Sequence, residues 1–467
     1  MERIPLYDNI CKYGYFIENK EDFELQASRL EDNDIIFIID NCISKELIRQ
    51  KYDNKIVSIE KADALKYMNP NMPMWLENEE IYNKVLNMEY DKILPQSAEV
   101  VPSLNCSFRC EQCSYRPTKE KEGIWSDRRT YKDEKFYMSR ETMDIIINKL
   151  HKAGTKNIVF TGGGEPLSNS EVTLFGMELA KEKKLTFGLY TNGFYLNDYI
   201  CKRICELDPL FVRISVYGLN ENEFEKYTKI PSKNFYRVIS NIKKLISFKE
   251  RYNSNFQLSL SFLVNPILVN NDDDIEKFFE NNFSREELRK LFMVRFTPTV
   301  DYYTAKQHSA EYFEKMFANI ENYAKKSKEY LNIVTYRHRL NDLYKLKEYD
   351  KCRGSGFYAE VGPDAKMYLC CEKLTDSKYE LGTLKKYDIE QIFNDERRKK
   401  ILNQISTKKC KECPSVCKPH EINKQLAAVE ELVLKGKIEL INEWRNDLIK
   451  KSINSEYFPG KLNAFES

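Results

Sequence analysis

The sequence predicts an α/β protein built on a partial (β/α)6 barrel of the TIM type, with a small N-terminal α/β unit and a Cys-rich C-terminal domain. Three observations support this prediction. Six short apolar runs alternate with amphipathic runs over residues 96–300, a shorter apolar–helical–apolar pattern precedes them, and nine of the 13 Cys fall in two groups, 106–113 and 352–417. Strands that alternate with helices form parallel sheets with right-handed crossovers.

Residues 1–95 form the predicted N-terminal unit. Apolar runs over 34–40 and 55–60 indicate two strands, and residues 45–50 between them indicate a helix. This unit has no Gly-rich phosphate loop, so we assign it no nucleotide. Its role stays open between gripping a partner or peptide and bracing the next domain.

The barrel is predicted over residues 96–300. Its six strands are expected at 99–104, 157–161, 185–190, 211–216, 256–264 and 291–297. Helices are expected between them, including 139–151, 171–183, 235–248 and 275–279. In such folds the functional residues lie at the C-terminal ends of the strands.

Polar side chains share one face of the fourth, fifth and sixth predicted strands. They include Arg213 and Ser215, then Gln257 and Ser259, and finally Arg295. Because the apolar face must pack on the helices, we expect the polar face to line a wet or ligand-filled lumen, with Gln257, Ser259 and Arg295 as candidate substrate contacts. The alternative is an open sheet that exposes its polar face to solvent.

The remaining chain is divided into three predicted segments. Residues 301–350 form a helical connector, residues 351–420 carry the second Cys group, and residues 421–467 form a C-terminal helix and tail. The pattern over 421–451 predicts one long amphipathic helix.

Composition narrows the setting in which the protein works. The formal net charge is +2, so no overall field favours nucleic acid or an anionic membrane. The N-terminus lacks an apolar signal region, and no run of about 18 apolar residues predicts a membrane span. We therefore expect a cytoplasmic protein, in which Cys residues bind metal more often than they form structural disulfides.

The first Cys group is the segment Cys106-Ser-Phe-Arg-Cys110-Glu-Gln-Cys113, directly after the first barrel strand. Three thiolates from one loop can hold three irons of a cubane cluster and leave the fourth iron without a protein ligand. Most protein-bound cubanes have four Cys ligands, so a set of three is informative. A zinc knuckle and three unrelated thiols are the alternatives.

The second motif is Thr161-Gly-Gly-Gly-Glu165-Pro166, which follows the second strand. Its glycines allow backbone to approach a ligand closely, and Glu165 offers a carboxylate to an ammonium group. With both motifs in this order, residues 97–420 resemble the radical S-adenosylmethionine (radical SAM) superfamily. The resemblance implies a 4Fe-4S cluster whose open iron binds SAM, and reductive cleavage of SAM to a 5′-deoxyadenosyl radical that abstracts a substrate hydrogen.

The resemblance also assigns residues to this chemistry. It implies that the cluster ligands are Cys106, Cys110 and Cys113. The implied SAM contacts are Gly163, Gly164, Glu165, Asn192, Arg213 and Ser215. No general acid or base can be assigned.

The second Cys group is similar to the SPASM and twitch extensions of radical SAM enzymes, which hold auxiliary iron-sulfur clusters. The resemblance implies one auxiliary 4Fe-4S cluster on Cys352, Cys370, Cys410 and Cys413, with Cys371 and Cys417 in reserve. The Gly usual at the hairpin turn before the hairpin Cys is Ala365 here. A zinc site built from the same thiols is the alternative.

Three functions are compatible with these motifs. The first is modification of a peptide or protein, as in the maturation of ribosomal peptides, with a reductant such as flavodoxin or ferredoxin. The second is a dehydrogenase or epimerase acting on a small sugar-like or aminocyclitol-like metabolite. The third is a non-catalytic iron-sulfur protein for electron transfer or scaffolding. We expect the first.

Overall fold

The computed structural model describes residues 3–5, 13–17, 35–39, 55–59, 74–110, 113, 115, 137–265, 274–298, 310–337, 339–340, 347, 349–405, 413 and 417–454. The chain forms two compact units. The first contains residues 1–93, 344–354 and 418–467, and the second contains residues 94–343 and 355–417. The domain boundaries expected above stay predictions.

A four-stranded sheet belongs to the first unit. Its strands are β1 (Arg3–Pro5), β2 (Tyr13–Ile17), β3 (Ile35–Ile39) and β4 (Lys55–Ile59), in that order across the sheet. The pair β1–β2 is antiparallel, and the other two pairs are parallel. The predicted strands at 34–40 and 55–60 are confirmed, whereas the helix predicted at 45–50 lies outside the described residues.

Helices Met74–Glu77, Glu79–Leu86, His420–Leu434 and Ile438–Asn454 also belong to the first unit. Buried Trp75 packs three of them together, since its ring lies 6.1 Å from the rings of both Tyr82 and Trp444. The prediction of one long helix over 421–451 is wrong. The chain turns between the two C-terminal helices at Gly436, whose φ of +71° is a left-handed conformation that favours Gly.

A ten-stranded sheet forms the second unit. Its strands in chain order are β5 (Ser97–Val100), β6 (Asn157–Phe160), β7 (Thr186–Thr191), β8 (Phe211–Val216), β9 (Gln257–Val264), β10 (Met293–Pro298), β11 (Ile333–Thr335), β12 (Tyr358–Val361), β13 (Lys366–Tyr368) and β14 (Glu380–Thr383). The order across the sheet is β11-β10-β9-β8-β7-β6-β5-β12-β13-β14. All pairs from β11 to β12 are parallel, and β13 and β14 join antiparallel.

The sequential order of β5 to β10 confirms the predicted partial barrel, because each crossover leads to the neighbouring strand. The helices of this unit are Arg140–Lys152, Ser170–Glu182, Asp198–Leu207, Glu221–Thr228, Asn234–Arg251, Asp274–Asn282, Arg285–Arg289, Ala310–Ser327, Ile389–Asn394 and Glu396–Gln404. Side chains of Ser139, Asn197 and Asn220 cap three of them by accepting hydrogen bonds from first-turn N–H groups. No helix in the described part of the chain is long and apolar enough to cross a membrane.

The two faces of the barrel strands differ as the sequence predicts. On the outer face, Ile214, Leu260 and Phe296 are at most 1% exposed and share one core with the helices. On the inner face, Ser259 and Arg295 are 6% and 5% exposed. The alternative of a polar face open to solvent is therefore wrong for these two positions. Arg213, Ser215, Gln257 and Ser261 on the same face are half-buried, so the inner face forms a polar lining that is buried in part.

Candidate active site

The Cys106–Cys113 segment leaves the carboxyl end of β5. All three of its Cys are half-buried, and the Sγ of Cys106 accepts hydrogen bonds from the backbone N–H of Phe108 at 3.4 Å and from Asn192 Nδ2 at 3.6 Å. Such donors favour the thiolate form that an iron ligand requires. Asn192, one of the implied SAM contacts, thus lies beside the first of the implied cluster ligands.

Phe108 anchors this loop to the barrel. Its side chain is 1% exposed and contacts three aromatic rings edge-on, Phe194, Tyr217 and Phe224, at centroid distances of 5.7, 5.9 and 5.4 Å. Edge-to-face pairs of this kind add stability beyond the buried area. The sequence analysis named the candidate ligands but not this anchor, although an aromatic residue within a polar Cys loop was a signal that the sequence contained.

The glycines of the second motif allow two backbone segments to touch. A Cβ placed on Gly164 would lie 2.3 Å from the carbonyl oxygen of Asn105, and one on Gly162 would lie 2.1 Å from that of Gly164. The backbone N–H of Glu165 donates to the same Asn105 oxygen at 2.7 Å. The motif is therefore packed directly against the start of the Cys loop, at the residue before Cys106.

Glu165 is buried, at 2% exposed, where the motif meets the end of β7. Its carboxylate accepts hydrogen bonds from Thr191 Oγ1 at 2.6 Å, from the N–H of Asn192 at 2.7 Å and from the N–H of Leu167 at 3.1 Å. Burial raises the pKa of this carboxyl to about 7, against the opposing effect of these donors. A cation bound beside Glu165 would favour the charged form.

Tyr217 follows β8 and lies against the Cys loop. Its ring stacks on Tyr227 at 5.2 Å, and burial, then the negative charge of Cys110, raises its pKa well above the ordinary value. The side chain of Ser215, an implied SAM contact, hydrogen-bonds to Tyr217. Arg213, on the same face of β8, lies over the Tyr190 ring at 3.6 Å.

The strand register brings the other predicted contacts together. Ser215 pairs with Ser261, which pairs with Arg295 on β10, so all three lie at one level of the inner face. Ser259 pairs with Arg213 one step lower, and Gln257 lies one further step down. The three candidate substrate contacts therefore share one lining with Arg213 and Ser215, two of the implied SAM contacts.

Two carboxylates on this lining were not predicted. Glu99 on β5 pairs directly with Glu360 on β12, and they are 8% and 3% exposed. Both raise the pKa values of Tyr115 and Cys371, for which burial is the larger cause. Alternation along each strand indicated which face each carboxylate occupies, but not that the two strands are neighbours.

The second Cys group is distributed over both units. In the second unit, Cys370 follows β13, and Cys370, Cys371, Cys413 and Cys417 are half-buried. In the first unit, buried Asn423 donates from Nδ2 to the Sγ of Cys352 at 3.4 Å. Cys410 lies outside the described residues. The implied auxiliary ligand set therefore stays a prediction.

The turn before Cys370 keeps the conformation that Gly would favour. Ala365 has a φ of +65° and is fully buried, and its N–H donates to the carbonyl of Gly362 at 3.0 Å. The hairpin β12–β13 expected from the sequence is thus formed despite the substitution.

The Cys residues of the described chain carry reduced thiols. None of the Cys in the described ranges forms a disulfide. Among those same residues, no group of three or more His, Cys, Asp or Glu converges on a point where a single metal ion could bind. A cubane differs from a single ion because each Cys binds a different iron, so its ligands need not converge on one point.

Comparison with known families agrees with this arrangement. The Radical SAM superfamily profile matches residues 100–281, and the SPASM profile, described as an iron-sulfur cluster-binding domain, matches residues 352–414. No curated protein sequence matches the chain.

Solved structures match the fold at low sequence identity. Streptococcus suis SuiB bound to the precursor peptide SuiA matches with a TM-score of 0.51 and 13% identity, covering 68% of this chain and 70% of that chain. SuiB bound to S-adenosylmethionine matches with a TM-score of 0.51 and 14% identity, covering 69% and 72%.

Proposed function

The chain is a radical SAM enzyme that also carries a SPASM iron-sulfur cluster-binding domain, and we propose that it modifies a peptide or protein substrate inside the barrel. The observation that carries the SAM part of this proposal is the contact between the two motifs. The N–H of Glu165 is bonded to Asn105, one residue before Cys106, so the ammonium-binding carboxylate and the cluster loop have fixed relative positions.

Each predicted residue has a role in this proposal. The three Cys of the first loop hold the cluster, Gly163, Gly164 and Glu165 hold the methionyl amine, and Asn192, Arg213 and Ser215 contact the rest of SAM. When bound, the cluster and SAM supply the one-electron chemistry that opens a carbon–hydrogen bond of the substrate. The protein orients both partners, and the partly buried inner face limits the access of water to them.

The auxiliary cluster is proposed on Cys352, Cys370, Cys410 and Cys413, with Cys371 and Cys417 as replacements. A small reductant such as flavodoxin or ferredoxin is proposed as the electron source. A cytoplasmic location remains a prediction from the sequence.

The peptide substrate is supported by the likeness to SuiB, whose structure contains a precursor peptide. The polar inner face favours a second candidate, a small polyol-like metabolite, because Ser215, Ser259 and Ser261 could bond to hydroxyl groups.

One experiment tests the shared chemistry. The protein is reconstituted anaerobically with iron and sulfide, reduced with dithionite and supplied with SAM. We expect 5′-deoxyadenosine from the wild type and none from a Cys106/Cys110/Cys113→Ala triple variant. Equal amounts of 5′-deoxyadenosine from both proteins would refute the proposed SAM chemistry.

A second experiment tests the peptide. Short peptides encoded beside the gene are incubated with the reduced enzyme and SAM, and their masses are measured. We expect a mass change that requires the three Cys. If 5′-deoxyadenosine forms but no such peptide changes mass, the peptide part is wrong and the metabolite candidate is favoured.

A further inference from the structure

Arg295 is a buried cation on the inner face of the barrel. It is 5% exposed, and its Nε is fully buried without a hydrogen-bond acceptor. Within the described chain its one close partner is the ring of Tyr336, whose centroid lies 4.4 Å from the guanidinium carbon. Burying a guanidinium without a carboxylate is costly, so its position requires an explanation.

Two other Arg side chains of the described ranges, one buried and one half-buried, are bonded to oxygen. Arg398, at 1% exposed, donates to the carbonyl of Phe393 at 3.1 Å. Arg337 lies between the carboxylates of Glu314 and Glu321. A role in folding therefore does not account for Arg295, because the chain satisfies these other arginines with its own acceptors.

The surroundings of Arg295 are polar. Thr297, two residues along the same face, is 5% exposed, and its Oγ1 also lacks a hydrogen-bond partner. Ser261 and Ser215 occupy the next two strands at the level of Arg295, and both side chains are small. A fork of N–H donors beside a hydroxyl is the geometry that binds a carboxylate.

We propose that Arg295 and Thr297 bind a carboxylate of the substrate within the barrel. This rests on the proposed function and adds to it that the substrate presents an acidic group, on a side chain or at its terminus. On binding, the carboxylate supplies the missing acceptors and the buried charge is neutralised.

SAM has a carboxylate of its own, but the sheet order disfavours it as the partner. Arg295 lies on β10, and Glu165 follows β6, which is four strands away in the sheet. Because neighbouring strands are about 4.8 Å apart, the two strands are separated by about 19 Å along the sheet. The amine and carboxylate of a methionyl group share one carbon atom. A methionyl amine held by Glu165 therefore keeps its carboxylate on that side of the barrel.

Binding of small probes tests the proposal directly. N-acetylglycine represents a terminal carboxylate and N-acetylglutamic acid α-amide a side-chain carboxylate, and each is compared with its neutral amide. Dissociation constants are measured by ligand-observed NMR on the reconstituted protein with SAM present. We expect at least one carboxylate to bind about tenfold more tightly than its amide, since hydrogen bonds between two charged groups are stronger than those to a neutral group.

Arg295→Met should abolish the tenfold preference for the carboxylate, and Arg295→Lys should keep part of that preference. Arg289→Met, the control at an exposed position, should leave the preference unchanged. Because Arg295→Met removes an uncompensated buried charge, it should also raise the midpoint of thermal unfolding by about 2 °C or more. A residue with a merely structural role would lower that midpoint instead.

Three results for Arg295→Met would overturn the proposal. The first is an unchanged preference for the carboxylate probe, and the second is a lower midpoint of thermal unfolding. The third is a tenfold loss of SAM affinity while probe binding stays intact, which would assign the arginine to SAM. The release of 5′-deoxyadenosine is measured on the same samples without a substrate. The proposed function and the carboxylate site can therefore fail separately.

Discussion

Gly164→Ala tests the contact on which the proposed SAM site depends. The added Cβ would lie 2.3 Å from the carbonyl oxygen of Asn105 and 2.5 Å from the carbonyl carbon of Leu104. Ordinary contacts between such atoms are about 3.5 Å or longer, so the backbone before Cys106 must move by about 1 Å. Overpacking of this kind costs about 1–3 kcal/mol, and loss of the Glu165–Asn105 hydrogen bond costs about 1 kcal/mol more.

The expected result is a folded protein with a damaged site. A shift of about 1 Å in catalytic groups can lower a rate about 100-fold, so we expect 5′-deoxyadenosine formation to fall by about that factor and iron content to fall with it. Circular dichroism and iron analysis are measured on the same samples.

Gly154→Ala is the matched control. Gly154 has a φ of +82°, but no heavy atom lies within 4 Å of its added Cβ. It should lose about 1 kcal/mol of stability and keep both iron and rate. Full iron and at least a tenth of the wild-type rate in Gly164→Ala would refute the packing argument.

Three further predictions follow from the same site. The reconstituted wild type should contain about eight irons per chain and the triple Cys variant about four, whereas about four with zinc in the wild type would refute the auxiliary cluster. Burial raises the pKa of Glu165 to about 7, and in the proposed site the charged carboxylate binds the ammonium of SAM. The affinity for SAM should therefore fall by up to about tenfold per pH unit below pH 7. An affinity that calorimetry finds independent of pH would contradict this role. Phe108→Ala should lower the free energy of unfolding by about 3–5 kcal/mol and reduce the iron that the protein retains on gel filtration. Tyr199→Ala, at an exposed position, should change neither the stability nor the iron content.

The sequence predicted the parts of the fold that local pattern determines. All six barrel strands were found because apolar and polar residues alternate along them, and the inner face followed from that alternation. The strand Ile333–Thr335 was missed, since three residues are too short a run to show a pattern. The prediction of one long C-terminal helix was wrong because a single Gly can either end a helix or lie within one. The sequence does not show which of the two applies, whereas the backbone conformation at Gly436 does.

The sequence could not predict which strands are neighbours, because alternation of polar and apolar residues does not indicate which strand pairs with which. The hairpin of the second Cys group was expected as a separate element, yet β12 pairs in parallel with β5 and extends the barrel sheet. This single pairing accounts for the buried carboxylates Glu99 and Glu360, which lie about 260 residues apart in the chain and side by side in the sheet. Candidate ligands could be read from motifs, but the charges of the lining depend on long-range register.

The register also orders the thiols along the barrel axis. Glu360 pairs with both Glu99 and Tyr368, so these three residues form one row across β5, β12 and β13. Because β13 is antiparallel, the chain after Tyr368 runs toward the amino end of β5, where Cys370 follows. Cys106 lies beyond the carboxyl end of β5. The register therefore places Cys370 toward the amino end of β5 and Cys106 beyond its carboxyl end. The second Cys group is not confined to the amino end, because burial and then the charge of Cys371 raise the pKa of Tyr115, two residues after Cys113.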